Sequence, residues 1–165
     1  MTPLRGSGEI IGWRLDHRRY KSTWNSGEAS LKQGGRWSSK GARAVYASID
    51  PSTAILEVAV HKGFSRLDTV PHVLTSFAIT DPARIHVVDI ADIPNANWLR
   101  PGIPSAGQQQ FGDGLLASHA LFLIPSVVSR HCWNLVFDPA RANSLYKQRF
   151  QEDFALDTRL HPPAN

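Results

Sequence analysis

The chain has 165 residues and a mass of 18.3 kDa, a length that favours one domain spanning residues 1–165. With 42% hydrophobic and 19% charged residues, its composition excludes a disordered chain and a coiled coil. The only cysteine, Cys132, excludes an intrachain disulfide and a multi-thiolate metal site. No apolar run approaches the ~20 residues of a membrane helix, and the first ten residues lack a signal peptide's apolar segment, so a cytoplasmic protein is expected.

The basic residues are mostly arginines. The formal net charge is +4, the isoelectric point is about 9.6, and 13 of the 18 basic residues are Arg. Arginine makes bidentate contacts with phosphates and carboxylates. These residues are dispersed, with Arg18, Arg19 and Lys21 as the densest cluster. An anionic ligand, an acidic partner or no specific partner is therefore favoured over direct binding of a nucleic acid.

The first half of the chain predicts two strands and one helix. Residues 10–15 (IIGWRL) predict a strand, which a polar stretch follows over 16–35. A second strand is predicted over 44–49 (AVYASI). It ends at Asp50-Pro51, a typical helix start with Asp as the N-cap and Pro in the first turn. The helix should span Pro51–Lys62 and end at Gly63.

The second half predicts mainly strands, over 72–80, 84–90, 120–124 and 133–137. A short helix over 105–118 is expected to be interrupted by Gly112 and Gly114, and the tail over 146–160 has no clear period. Many short strands beside one well-defined helix predict an α+β fold rather than alternating βαβ units.

Common signatures of metal and nucleotide sites are missing from the sequence. The seven histidines have no metal-ligand spacing, and there is no GxGxxG, Walker or GxSxG motif. We therefore expect no metal centre, no Rossmann site and no P-loop.

Glu57 is one of two informative features. It lies inside the otherwise apolar helix segment AILEVAV, where a carboxylate must face a cleft or find a partner. A structural ion pair with an arginine, or a position on the exposed side of the helix, explains it equally well. The other feature is GGRWS over 34–38, which suits either a loop holding a phosphate or an ordinary hairpin turn with a packed Trp37. Tyr46 and Ser126 are uninformative alone.

Taken in order, these segments resemble the RES domain, a family named for its Arg, Glu and Ser residues. The resemblance covers nearly the whole chain. Two positions depart from the family pattern, because Ser38 and Asp138 stand where the family commonly has Asn. The matching segments are WRL (13–15), GGRWSSKG (34–41), VYAS (45–48), TAILEVAVH (53–61), FGDGLLAS (111–118), IPSVV (124–128) and NLVFDP (134–139).

The resemblance implies an α+β fold similar to that of ADP-ribosyltransferases, with strongly curved antiparallel β-sheets and flanking helices. It also implies a toxin of a bacterial toxin–antitoxin pair that cleaves the nicotinamide–ribose bond of NAD+. Family members pass the ADP-ribose to phosphate, to water or to a protein. NAD+ is then a substrate, and no bound cofactor or metal is expected.

The resemblance also implies roles for individual residues. Glu57 is expected to stabilise an oxocarbenium-like transition state, and Arg36, with Arg14, to bind the pyrophosphate. Tyr46 is expected to stack on the nicotinamide, and Ser126 to bind its carboxamide or the ribose. The implied site consists of Arg14, Arg36, Tyr46, Glu57, Ser126 and Asn134.

The implied partner is an Xre-type helical antitoxin that covers the active site. We therefore expect a toxin–antitoxin hetero-oligomer without a membrane, in which any nucleic acid is bound only through the antitoxin. Two alternatives stay open: an ADP-ribosyltransferase that modifies a cellular protein, and a non-catalytic binding module or RNA-targeting toxin.

Overall fold

The computed structural model describes residues 8–164, whose seven strands form one sheet. The strand order is β4-β5-β6-β2-β1-β3-β7, and all neighbours are antiparallel except the parallel pair β4–β5. The strands are β1 (Ile11–His17), β2 (Val45–Ser48), β3 (His72–Ile79), β4 (Ile85–Val87), β5 (Leu121–Pro125), β6 (Trp133–Phe137) and β7 (Tyr146–Phe154).

Both faces of this sheet are covered in its central part. Along β5, Leu121 and Leu123 belong to one cluster of buried side chains, while Phe122 and Ile124 belong to another. Alternate residues of a strand point to opposite faces, so the two clusters lie on the two sides of the sheet. The α+β class expected from the sequence is confirmed.

Four α-helices accompany the strands within the described residues, and α2 has the predicted bounds. They are α1 (Glu28–Gln33), α2 (Pro51–Lys62), α3 (Phe64–Thr69) and α4 (Ala106–Ser118). Asp50 caps α2, since its carboxylate accepts a hydrogen bond of 2.8 Å from the Thr53 N–H. Gly63 ends the helix with φ at +79°, a conformation that favours glycine. None of the helices in residues 8–164 is long and apolar enough to cross a membrane.

The interruption expected in α4 is wrong, because that helix runs continuously from Ala106 to Ser118. A capping box between Ser105 and Gln108 starts it. Gly112 does not interrupt the helix but lets it pack closely against the backbone of Trp37. A Cβ at this position would lie 2.0 Å from the Trp37 carbonyl oxygen.

Several other expectations are also corrected. The tail contains the nine-residue strand β7, whose pairing with β3 shifts register between Ser76 and Phe77 and whose residues are mostly exposed. Such an edge strand has no regular apolar alternation for a sequence pattern to detect. The polar stretch after β1 contains α1, and α3 follows Gly63, whereas the strand expected over 84–90 is only Ile85–Val87.

The sheet opens between β1 and β2. These strands share a single register pair, Trp13 with Ser48, whereas β1 pairs with β3 along its whole length. Beyond that pair, the Arg14 guanidinium donates a 2.6 Å hydrogen bond to the Tyr46 carbonyl, so a side chain replaces the missing ladder contact.

Candidate active site

A cleft of about 970 Å³ lies where β1 and β2 diverge. Residues from β1, β2, α1 and α2 line it, together with the turn that follows α1. Five of the six predicted site residues are in its wall: Arg14, Arg36, Tyr46, Glu57 and Asn134.

The carboxylate of Glu57 is held through one of its oxygens. Its Oε1 accepts hydrogen bonds from the Ser126 hydroxyl at 2.8 Å and from the Asn134 amide at 2.5 Å. No described residue donates a hydrogen bond to Oε2. The half-buried carboxylate is thus fixed in direction, with one oxygen left for a ligand.

Ser126 lies behind Glu57 and outside the cleft wall, although a direct contact with substrate was expected. Its side chain is fully buried, and its hydroxyl also accepts from the N–H groups of Val128 and Ser129, at 3.2 and 3.1 Å. The turn after β5 therefore fixes the hydroxyl, and the hydroxyl fixes the carboxylate.

Ser48 is a member of this network that the sequence analysis missed. It lies opposite Asn134 in the pairing of β2 with β6, and its hydroxyl donates a 2.8 Å hydrogen bond to the Asn134 Oδ1. This contact turns the amide so that its N–H points at Glu57. In the sequence, the only indication of a role for Ser48 was its position in the VYAS segment. Its contact with Asn134 follows from the register between β2 and β6.

Tyr46 connects the cleft to the GGRWS segment. Its hydroxyl accepts a 3.1 Å hydrogen bond from the Trp37 N–H and lies 2.7 Å from the Ser38 hydroxyl. Burial raises the pKa of Tyr46 to about 12, so the phenol is neutral at physiological pH. Gly35 allows this arrangement, because a Cβ there would lie 2.4 Å from the Tyr46 hydroxyl.

The GGRWS segment is a tight turn that also presents Arg36 to the cleft. The Gly35 N–H donates to the Ser38 carbonyl at 2.9 Å, and Trp37 is buried. Arg36 donates long hydrogen bonds of 3.4 and 3.3 Å to the carbonyls of Trp98 and Gly102. Burial lowers the pKa of Arg36 and the negative charge of Glu57 opposes this, yet a guanidinium stays protonated.

Arg14 differs from Arg36 because its charge is already balanced. Besides its bond to the Tyr46 carbonyl, it forms a 2.8 Å ion pair with Asp16. Its Nε is buried without a hydrogen-bond partner. These contacts make Arg14 a brace between two diverging strands, and the phosphate contact expected from the sequence stays a prediction.

Possible metal ligands do not cluster among the described residues. Residues 8–164 contain no group of three or more His, Cys, Asp or Glu side chains that could hold a metal ion.

Comparison with known proteins identifies the family. The RES domain family model matches residues 11–157. The chain belongs to the RES domain family. The resemblance of the sequence motifs to this family is thereby confirmed.

Three relatives and one solved structure extend this finding. A Toxin Res of Photorhabdus laumondii is 32% identical over 160 residues, which cover 92% of this chain and 97% of that protein. A Toxin Res of Pseudomonas putida is 27% identical, with coverage of 82% and 91%. The Prs ADP-ribosylating toxin of a Sphingobium species is also 27% identical, with coverage of 90% and 94%. The MbcT-MbcA toxin-antitoxin complex of M. tuberculosis matches with a TM-score of 0.65 at 18% identity over 90% of this chain and 85% of that one, which confirms the expected fold.

Proposed function

We propose that the chain is the toxin of a bacterial toxin–antitoxin system and consumes NAD+ by cleaving its nicotinamide–ribose bond. The observation that carries this proposal is which carboxylates of the cleft form ion pairs and which does not. Asp16 is paired with Arg14, and Glu28 is paired with Lys32 and Arg43. Among the described residues that line the cleft, only Glu57 is a carboxylate without an ion pair.

A single available carboxylate suits this reaction. When the C–N bond breaks, the electron pair stays on the nicotinamide nitrogen, so nicotinamide leaves as a neutral molecule and needs no general acid. The ribose becomes an oxocarbenium-like cation, which the Glu57 carboxylate stabilises electrostatically. An ordinary glycosidase needs a second carboxyl group to protonate its leaving group.

The residues around Glu57 support the same role. Ser126 and Asn134 hold Oε1, so the charge is positioned before the substrate arrives and little reorganisation is required. Arg36 carries a positive charge in the same cleft and binds the anionic substrate. The Tyr46 ring forms part of the wall and offers a surface for the nicotinamide.

ADP-ribosylation of a protein is the second candidate, because one relative is named Prs ADP-ribosylating toxin. Both reactions begin with the same bond cleavage and differ only in the group that then attacks the ribose carbon. Water yields ADP-ribose, phosphate yields its 1-phosphate ester, and a protein nucleophile yields a modified protein.

An antitoxin partner completes the proposal. The matched solved structure is a toxin-antitoxin complex, and the relatives are named as toxins. An enzyme that depletes NAD+ would harm the cell that makes it, so an inhibitor must be present at synthesis. We expect a helical Xre-type antitoxin that covers the cleft, with any nucleic acid contacted through that partner.

One assay tests the activity and its acceptor together. Purified chain is incubated with NAD+ labelled in its adenosine half, and nicotinamide release and the destination of the label are followed. Release of nicotinamide with label in a small molecule supports NAD+ breakdown, and label in protein supports ADP-ribosylation. Absence of nicotinamide release refutes both. In cells, expression of the chain alone should stop growth and lower NAD+, and the antitoxin should restore both.

A further inference from the structure

Four neighbouring residues of the cleft lining are cationic or titratable and are here called the basic end: His17, Arg19, Lys62 and Arg66. These residues come from the last position of β1, the 3-10 helix Arg18–Thr23, the end of α2, and α3. Four separate elements therefore bring cationic or titratable side chains to one place. The sequence cluster that begins at Arg18 supplies one of them.

The charge of the basic end is not compensated. In residues 8–164, no carboxylate forms an ion pair with Arg19, Lys62 or Arg66, and all three are exposed. Desolvation, and then neighbouring positive charges that include Lys62 and Arg66, lower the pKa of His17. Such a concentration of positive charge favours an anionic ligand.

Arg14 cannot supply the same attraction. Its guanidinium is paired with Asp16 and also bonds the Tyr46 carbonyl. A phosphate would have to compete with both contacts. Lys62 and Arg66 have no such contacts to give up.

Helix α2 connects the basic end to Glu57. His61 and Lys62 follow Glu57 on α2 and line the same cleft. Lys62 lies five residues after Glu57, an advance of about 7.5 Å along the helix axis. In a dinucleotide, a similar span separates the reacting ribose carbon from the first phosphate.

We propose that the basic end is a phosphate subsite in which Arg19, Lys62 and Arg66 bind the phosphate groups of the dinucleotide, while Arg14 braces the strands. This inference rests on the proposed use of NAD+. Its chemistry is that of a guanidinium or ammonium donating to phosphate oxygens.

Two matched pairs of substitutions test the subsite. Lys62→Gln with Arg66→Gln removes two positive charges from the basic end. Lys147→Gln with Arg149→Gln removes the same charges from exposed positions of β7, outside the cleft. ADP-ribose binding is measured by calorimetry for the wild-type chain and both variants, and thermal melting verifies that they fold.

We expect ADP-ribose to bind about 10- to 100-fold more weakly to the Lys62/Arg66 variant and unchanged to the Lys147/Arg149 variant. In turnover, kcat/KM for NAD+ should fall by the same factor in the Lys62/Arg66 variant. The value for nicotinamide riboside, which has no phosphate, should stay constant.

Three outcomes would overturn the subsite. The first is unchanged ADP-ribose binding by the Lys62/Arg66 variant, and the second is an equal loss of binding in the Lys147/Arg149 variant. The third is that inorganic phosphate stimulates riboside cleavage by the wild-type chain but not by the Lys62/Arg66 variant, which would assign the basic end to free phosphate. Failure of the proposed function has a different signature. In that case ADP-ribose binding still depends on Lys62 and Arg66, but wild-type chain releases no nicotinamide from NAD+.

Discussion

Replacement of Glu57 by Gln separates the charge of the carboxylate from its shape. Both hydrogen bonds to Glu57 arrive at Oε1, from Ser126 and Asn134. In the variant, the amide oxygen keeps these two donors because an amide nitrogen cannot accept them. The amide N–H group is therefore directed toward the cleft, where the carboxylate Oε2 stood.

The expected cost is almost entirely catalytic. Loss of one preorganised electrostatic contact to a developing charge reduces rates by ~10²–10³, or about 3–4 kcal/mol of transition-state stabilisation. A donor that faces an oxocarbenium ion adds to this loss. Folding stability should change by less than about 1 kcal/mol, since size and both hydrogen bonds are retained.

The assay is nicotinamide release from NAD+, accompanied by urea unfolding. Glu152→Gln, an exposed position on β7, is the matched control and should behave as wild type. A Glu57→Gln variant that folds and cleaves NAD+ at the wild-type rate would refute the role of the charge. A variant that does not fold would instead assign the Glu57 carboxylate a structural role, through its hydrogen bonds with Ser126 and Asn134.

Three further perturbations probe the support of this carboxylate. Ser126→Ala removes one of the two donors to Oε1 and should lower kcat about tenfold or more with little change in KM, measured by steady-state kinetics. Gly35→Ala places a Cβ 2.4 Å from the Tyr46 hydroxyl and should destabilise the fold by about 1–3 kcal/mol in urea unfolding. Because folding raises the pKa of Tyr46 from 10.0 to about 12, the stability it contributes is complete below pH 10 and is lost as the pH rises toward 12. Tyr46→Phe should lack this part of the alkaline decline in unfolding free energy, and an identical decline would contradict the shift.

Local signals in the sequence were sufficient for some elements. The bounds of α2 depend on Asp50, Pro51 and Gly63, whose effects on the backbone act within a few residues. The strand Trp133–Phe137 is likewise a short apolar run between turns. The edge strand β7 was missed because its register shift and exposed side chains leave no apolar period.

The sequence by itself determined the family, the α+β class and the importance of Glu57, since each is carried by ordered motifs or by a charge inside an apolar helix. Only the tertiary structure decided which residues act together. The partners of Glu57, Ser126 and Asn134, lie 69 and 77 residues away. The pairing of β5 with β6 places them side by side, and the packing of α2 against β1 and β2 brings the carboxylate to them. The fold likewise decides one contact of Arg14, since its hydrogen bond to the carbonyl of Tyr46, 32 residues away, depends on how β1 and β2 diverge. A residue type determines which groups a side chain can bind, whereas the fold determines which groups it contacts.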